Sequence, residues 1–191
     1  YVVGNYVGKV ALAAVGASTP IINMLIGFFM GISTGAGVVI AQFFGAGDLS
    51  KMKKAIHNSI ALTLVIGVVL TVIGLVFNDP ILKAIGVPSD VFSEASTYLS
   101  IYFWSLIFVM IYNMGSGILR SVGDSKRPLY FLIFSSIINI VLDFLFVKNF
   151  GFGVAGAGYA TLIAQAISAI MVMYVLMKTE DSYKVVLKDI K

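Results

Sequence analysis

Residues Ser135 to Gln165 read SSIINIVLDFLFVKNFGFGVAGAGYATLIAQ, and within the run from Leu129 to Val147 Asp143 is the only ionisable side chain apart from the phenol of Tyr130, among nineteen positions that are otherwise apolar or small and polar. A stretch of that length and composition predicts a membrane-spanning helix. A carboxylate in such a helix costs roughly 2.5 to 3.5 kcal/mol on insertion scales, so it faces a bundle interior or a wet cavity and suggests a working site. Asn139 precedes Asp143 by four residues, Ser135 precedes Asn139 by four, and Ser136 precedes it by three. At about 3.6 residues per turn these side chains share one helical stripe. Two readings are open at this point: a polar contact that glues this helix to a neighbour, or an ion or proton site.

The rest of the chain fits the same class. Of 191 residues 59% are hydrophobic and 12% are charged, against about 45 to 50% and about 25% in soluble domains. The mean hydropathy is +1.00, which marks an all-α polytopic membrane protein. Nineteen glycines lie inside apolar runs, as membrane helices tolerate. There is no Cys and only one His, His57, which removes disulfide frameworks, Cys nucleophiles and His clusters from consideration. With one buried Asp and no such constellation, the chain is read as a non-enzyme. The net charge of +4 is explained by membrane topology before nucleic acid.

Reading outward, YVVGNYVG at Tyr1 resembles the tail of a longer apolar segment, a truncated first span. GASTP at Gly16 to Pro20 predicts a helix start, and the uncharged run Pro20 to Gly47 is the second span, 28 positions long. Further spans are expected at Ser59 to Phe77, Thr97 to Leu119, Leu129 to Val147 and Ala157 to Met177. All four prolines fall at span edges in this reading. Gly27, Gly31 and Gly35 form a small-residue stripe suited to close helix packing. Tyr98, Tyr102 and Trp104 are expected in an interfacial aromatic belt. The segment after Met177, KTEDSYKVVLKDIK, is charged and soluble in character.

Charge counting sets the orientation. The loops around 48–58 and 120–128 and the tail carry ten Lys and Arg, whereas the other side has three, Lys9, Lys83 and Lys148, which completes the 13 in the chain. The positive-inside rule places the richer side and both chain ends in the cytoplasm.

ALAAVGASTPIINMLIGFFMGISTGAGVVIAQFFGAGD, GILRSVGDSKRP and NIVLDFLFVKNFGFGVAGAGYATLIAQ together resemble the N-terminal half of a multidrug and toxic compound extrusion (MATE) transporter. The resemblance covers nearly the whole chain in order. It implies a twelve-helix protein of two six-helix lobes in the cell membrane. Residues 1–178 would be the first lobe, with its first helix truncated, and 179–191 a cytoplasmic linker to a second lobe of the same polypeptide. It further implies alternating access and export of cationic or amphipathic compounds in exchange for H⁺ or Na⁺, with no other cofactor. The cation site it implies is Asn139 and Asp143 with Thr161 and Ser136, and Na⁺ would sit at Asp143, Asn139 and Thr161. An acidic residue of the first helix would complete the site from a position just before Tyr1. The residues themselves allow either ion: carboxylate, amide carbonyl and hydroxyl are hard oxygen donors, and a desolvated Asp also holds a proton. Asn113, Tyr112, Met114 and Phe28 are the candidates for lining a substrate cavity, although core or lipid-facing packing competes for each. A lipid-linked oligosaccharide flippase of related architecture and a purely structural membrane protein are the alternatives. The first calls for an Arg- and Lys-rich cavity absent from these spans, and the second leaves Asp143, Asn139 and Thr161 unexplained.

Overall fold

A computed structural model describes residues 2–190 of the chain. The helices are α1 (Val2–Tyr6), α2 (Lys9–Gly45), α3 (Leu49–Val76), α4 (Asn78–Ala84), α5 (Ser89–Ser121), α6 (Lys126–Asp143) and α7 (Gly153–Lys178), with a π-helical turn at Phe144–Asn149 and a short 3₁₀ turn at Leu187–Asp189. Five helical segments are long and apolar enough to cross a bilayer: α2, α3, α5, α6 with its π turn, and α7. The short α1 lies in the stretch that the sequence predicts as part of a first span. Every described element is helical, as backbone groups in hydrocarbon require, since no water is there to satisfy them.

α5 is the axis of the bundle. It packs along α7, α2 and α3, and α6 lies against α7. Its buried side chains, among them Leu99, Leu106, Ile118 and Leu119, feed two apolar clusters. One holds Phe29, Leu82, Tyr102, Phe103 and Met110 toward the α4 end, and the other Ile40, Met52, Ile56, Met114 and Leu176 toward the opposite end. Small residues set the closeness of these contacts. Gly115 of α5 faces Val172 of α7, where a β-carbon would lie 2.8 Å from a Val172 methyl, and Gly158 of α7 meets Ile101 in the same way at 3.0 Å.

Several expectations are corrected. Pro20 does not start a helix but lies inside α2, which runs unbroken from Lys9. The Ser18 and Thr19 hydroxyls turn back to donate to the carbonyls of Ala14 and Val15, each at 3.0 Å. Ser and Thr therefore serve the preceding turn here rather than capping a new one. Residue 16, whose carbonyl lacks the Pro20 N–H, is a glycine. A β-carbon added at Gly27, Gly31 or Gly35 would meet nothing within 4 Å, so the stripe lies on an open face of the chain, while one at Gly37 beside it would lie 3.6 Å from the Gly117 carbonyl oxygen. Of the expected aromatic belt, Trp104 is 58% exposed but Tyr102 is core, because α5 is central and turns most of its faces inward. The segment after α7 is also not wholly solvated: Tyr183 and Val185 are buried in the second cluster, and the Val185 N–H donates to the Leu176 carbonyl at 2.8 Å.

The helix order places Lys9, Lys83 and Lys148 at one end of the bundle. Lys51, Lys53, Lys54, Arg120, Lys126, Arg127 and the basic residues after α7 lie at the other. Lys191 falls outside the described residues.

Candidate functional site

Asp143 closes the α-helical part of α6, and the next six residues form the π turn. A π turn accommodates one extra residue and is frequently found at functional positions in helices. Here the wider hydrogen bonding shows in the Phe150 N–H reaching the Leu145 carbonyl at 3.0 Å. Gly151 and Gly153, at φ 66° and 58°, then reverse the chain through a left-handed conformation that side chains with a β-carbon rarely adopt. Phe146, Phe150 and Phe152 gather over this reversal with ring centroids 5.7 to 6.1 Å apart. α1 seals the same end: the Tyr6 ring meets Phe144 edge-on at 6.2 Å, and the Lys148 ammonium lies 5.2 Å from the Tyr6 centroid.

Within this frame one Asp143 carboxylate oxygen and the Asn139 Nδ2 are buried without a hydrogen-bond partner. They sit one turn apart on α6, an acceptor and a donor that do not bond each other. Buried polar groups are nearly always satisfied, and an orphan left by the fold points to a missing partner or a function. The carboxylate oxygen suits a proton or a small cation. A half-turn of the Asn139 amide exchanges its nitrogen for its oxygen, so the pair can present two oxygens to the same space.

The remaining predicted residues are distributed as follows. Thr161 is half-buried on α7, the helix that packs along α6, and its hydroxyl donates to the Ala157 carbonyl of its own helix at 3.0 Å. Ser136 is exposed on the lobe surface, whereas Ser135 is buried and donates to the Leu132 carbonyl at 3.1 Å. Tyr98 of α5, a residue of the expected aromatic belt, is half-buried. Its ring packs on the cluster of Val3, Ala11, Val147, Val154 and Ala157. The four cavity candidates have different surroundings. Met114 is core. Tyr112 donates to the Pro128 carbonyl at 2.9 Å and ties α5 to α6. Asn113 donates to the Val109 carbonyl at 2.8 Å while its own carbonyl accepts from Ser33 at 2.7 Å. Phe28 is 54% exposed on α2.

The MatE family model matches residues 1–145, a range that includes Asn139 and Asp143 and stops short of Thr161. The chain is 37% identical to the probable multidrug resistance protein YoeA of Bacillus subtilis (strain 168), over 92% of this chain and 39% of that protein. It is 27% identical to the multidrug export protein MepA of Staphylococcus aureus (strain MRSA252), over 98% of this chain and 42% of that one. Among solved structures, the inward-facing conformation of a multidrug resistance MATE family transporter of the MOP superfamily matches all of this chain and 43% of its own, with a TM-score of 0.93 at 30% identity. The outward-facing conformation of a transporter described in the same words matches with a TM-score of 0.92 at 31% identity, over 42% of its length. The chain thus spans about two fifths of the length of the relatives it matches.

Proposed function

The chain belongs to the MatE family, and on that premise we propose that it forms one lobe of a two-lobe antiporter that exports cationic or amphipathic compounds in exchange for H⁺ or Na⁺. The observation that carries the reading is the orphaned pair on α6: an Asp143 oxygen and the Asn139 amide, buried and unpaired beside a π turn. An ionised Asp143 held there lacks a counter-charge among its bonds. Binding H⁺ or Na⁺ removes that cost, and releasing the ion restores it. Such a residue loads from one side of the membrane and unloads to the other as access alternates, and it couples to export when loading favours one orientation of the lobe. The nearly equal likeness of this chain to an inward-facing and an outward-facing relative supports a lobe that moves as a body against its counterpart, with substrate bound between repeats. Asn139 and Thr161 are assigned to the ion's oxygen shell. The Lys- and Arg-rich end is assigned to the cytoplasm, and the segment after Lys178 to the connection with the second lobe.

The test is drug efflux by the full-length protein under an imposed H⁺ or Na⁺ gradient, with membrane expression measured alongside. Asp143→Asn keeps the side-chain volume and cannot exchange a charge, so gradient-driven efflux is expected to vanish at normal expression. Asn139→Ala is expected to weaken coupling, and Thr161→Val to do so more mildly. Wild-type efflux from Asp143→Asn would remove Asp143 as the ion carrier.

A further inference from the structure

At the opposite end of the bundle, the lone histidine joins two distant parts of the chain. His57 is 5% exposed on α3. Its Nδ1 lies 2.7 Å from the Lys53 carbonyl of its own helix, and its Nε2 accepts from the Val186 N–H at 3.0 Å, across 129 residues of sequence. A carbonyl only accepts and a backbone N–H only donates. Nδ1 must therefore carry the proton and Nε2 the lone pair, which is the neutral imidazole in one defined tautomer. A second proton would place an Nε2–H against the Val186 N–H, so protonation and this one hydrogen bond exclude each other.

We propose that His57 is a proton-released latch: neutral, it holds the segment after α7 against α3, and on taking up a proton it lets that segment loosen. The segment has other anchors, the buried Tyr183 and Val185 side chains and the Val185 bond to Leu176, so protonation weakens docking without abolishing it. Around the ring is a cleft of about 500 Å³ lined by Lys53 and Lys54 of α3 and by Glu180, Asp181, Lys184 and Asp189 of the docked segment. Arg127 of α6 adds one more cation within electrostatic reach of Asp181, while the neighbouring part of α2, at Ile40 and Phe43, is uncharged. Three lysines face three carboxylates in the cleft, so its charges largely offset one another and leave the Nε2 hydrogen bond to decide. Histidine is the side chain whose charge ordinarily changes in the physiological range, so the latch answers to pH on its own side of the membrane. The contacts are all within this chain, and the inference stands apart from the ion-coupling role of Asp143.

The experiment is amide hydrogen exchange of residues 183–190 in the full-length protein in nanodiscs, with protection corrected for intrinsic exchange and followed from about pH 8 down to about pH 4. In the wild type, protection of the Val186 amide is expected to fall about tenfold, the equilibrium weight of one buried hydrogen bond. The fall should be complete above about pH 4.5, before carboxylates titrate. His57→Gln, which offers a neutral acceptor oxygen, is expected to keep the segment docked and to remove the fall. Constant wild-type protection down to about pH 4.5, or a fall only below it where carboxylates titrate, would overturn the latch even if the variant did not fold. The same fall persisting in folded His57→Gln would overturn it as well.

Discussion

Gly156→Ala tests whether the packing around the π turn is as tight as the structure shows. Gly156 is buried in the first turn of α7. A β-carbon there would lie 3.1 Å from the Phe146 carbonyl carbon, 3.2 Å from the Phe146 β-carbon and 3.2 Å from the Phe152 β-carbon. None of these atoms can move away by a rotamer change, so the main chain of the π turn must shift by a few tenths of an ångström. Overpacking of this kind typically costs about 1–3 kcal/mol, while alanine is favoured over glycine within a helix by about 1 kcal/mol. Because the clash is against backbone, the cost belongs in the upper part of its range, and the net loss is about 1–2 kcal/mol. Gly16→Ala in α2 is the control, since nothing lies within 4 Å of its added methyl and only the gain of about 1 kcal/mol applies. The assay is the thermal midpoint of the full-length protein in detergent, measured by size-exclusion fluorescence, with gradient-driven efflux in parallel. Gly156→Ala should melt below wild type and Gly16→Ala at or above it. Efflux by Gly156→Ala should fall by more than its expression, because Phe146 lies three residues beyond Asp143. A Gly156→Ala midpoint equal to or above that of Gly16→Ala would refute the reasoning.

Three further outcomes are expected. Tyr112→Phe removes the hydroxyl that donates to the Pro128 carbonyl and should lower stability by about 1 kcal/mol, read as a lower thermal midpoint with the fold intact; an unchanged midpoint would show that bond to be idle. The Asp48 carboxylate is held below the usual carboxylate range by hydrogen bonds from the Lys51 side chain and backbone N–H. A depressed folded value means that its stabilisation is fully present above the ordinary value of about 3.9 and disappears as the pH falls through the lower folded one. Asp48→Asn should remove that acid-range contribution from a midpoint-against-pH profile and leave the profile near neutrality parallel to wild type. Cysteines placed at Ser50 and Ser125, beside the Lys- and Arg-rich loops, should resist an impermeant thiol reagent applied to intact cells; labelling of both would reverse the proposed orientation.

The spans were legible because long uncharged runs have few alternatives, and Asp143 stood out because a lone carboxylate in such a run is costly. What could not be read depended on which of two contacts a residue makes. GASTP has the composition of a helix start, yet Ser18 and Thr19 bond backward to Ala14 and Val15, and the same letters serve both geometries. Tyr102 looks interfacial by position and is core because α5 is central. Tyr183 and Val185 alternate at a spacing of two within a charged segment, too short an apolar signal to stand out, and they become visible only once His57 and Leu176 receive the backbone N–H groups beside them.

The π turn is the clearest case. FLFVKN contains neither proline nor glycine, so nothing local asks for an extra residue. The demand comes from across the helix pair, where VAGAG at Val154 to Gly158 leaves a face with almost no side chain. The Phe146 backbone settles against Gly156, and α6 widens just beyond Asp143. A β-carbon at Gly156 would push that widened turn away. On this account the glycines of α7 and the unpaired oxygen of Asp143 belong to one arrangement. The close approach permits the irregular turn, and the turn follows directly on Asp143, the last α-helical residue of α6, whose carboxylate keeps one buried oxygen without a partner.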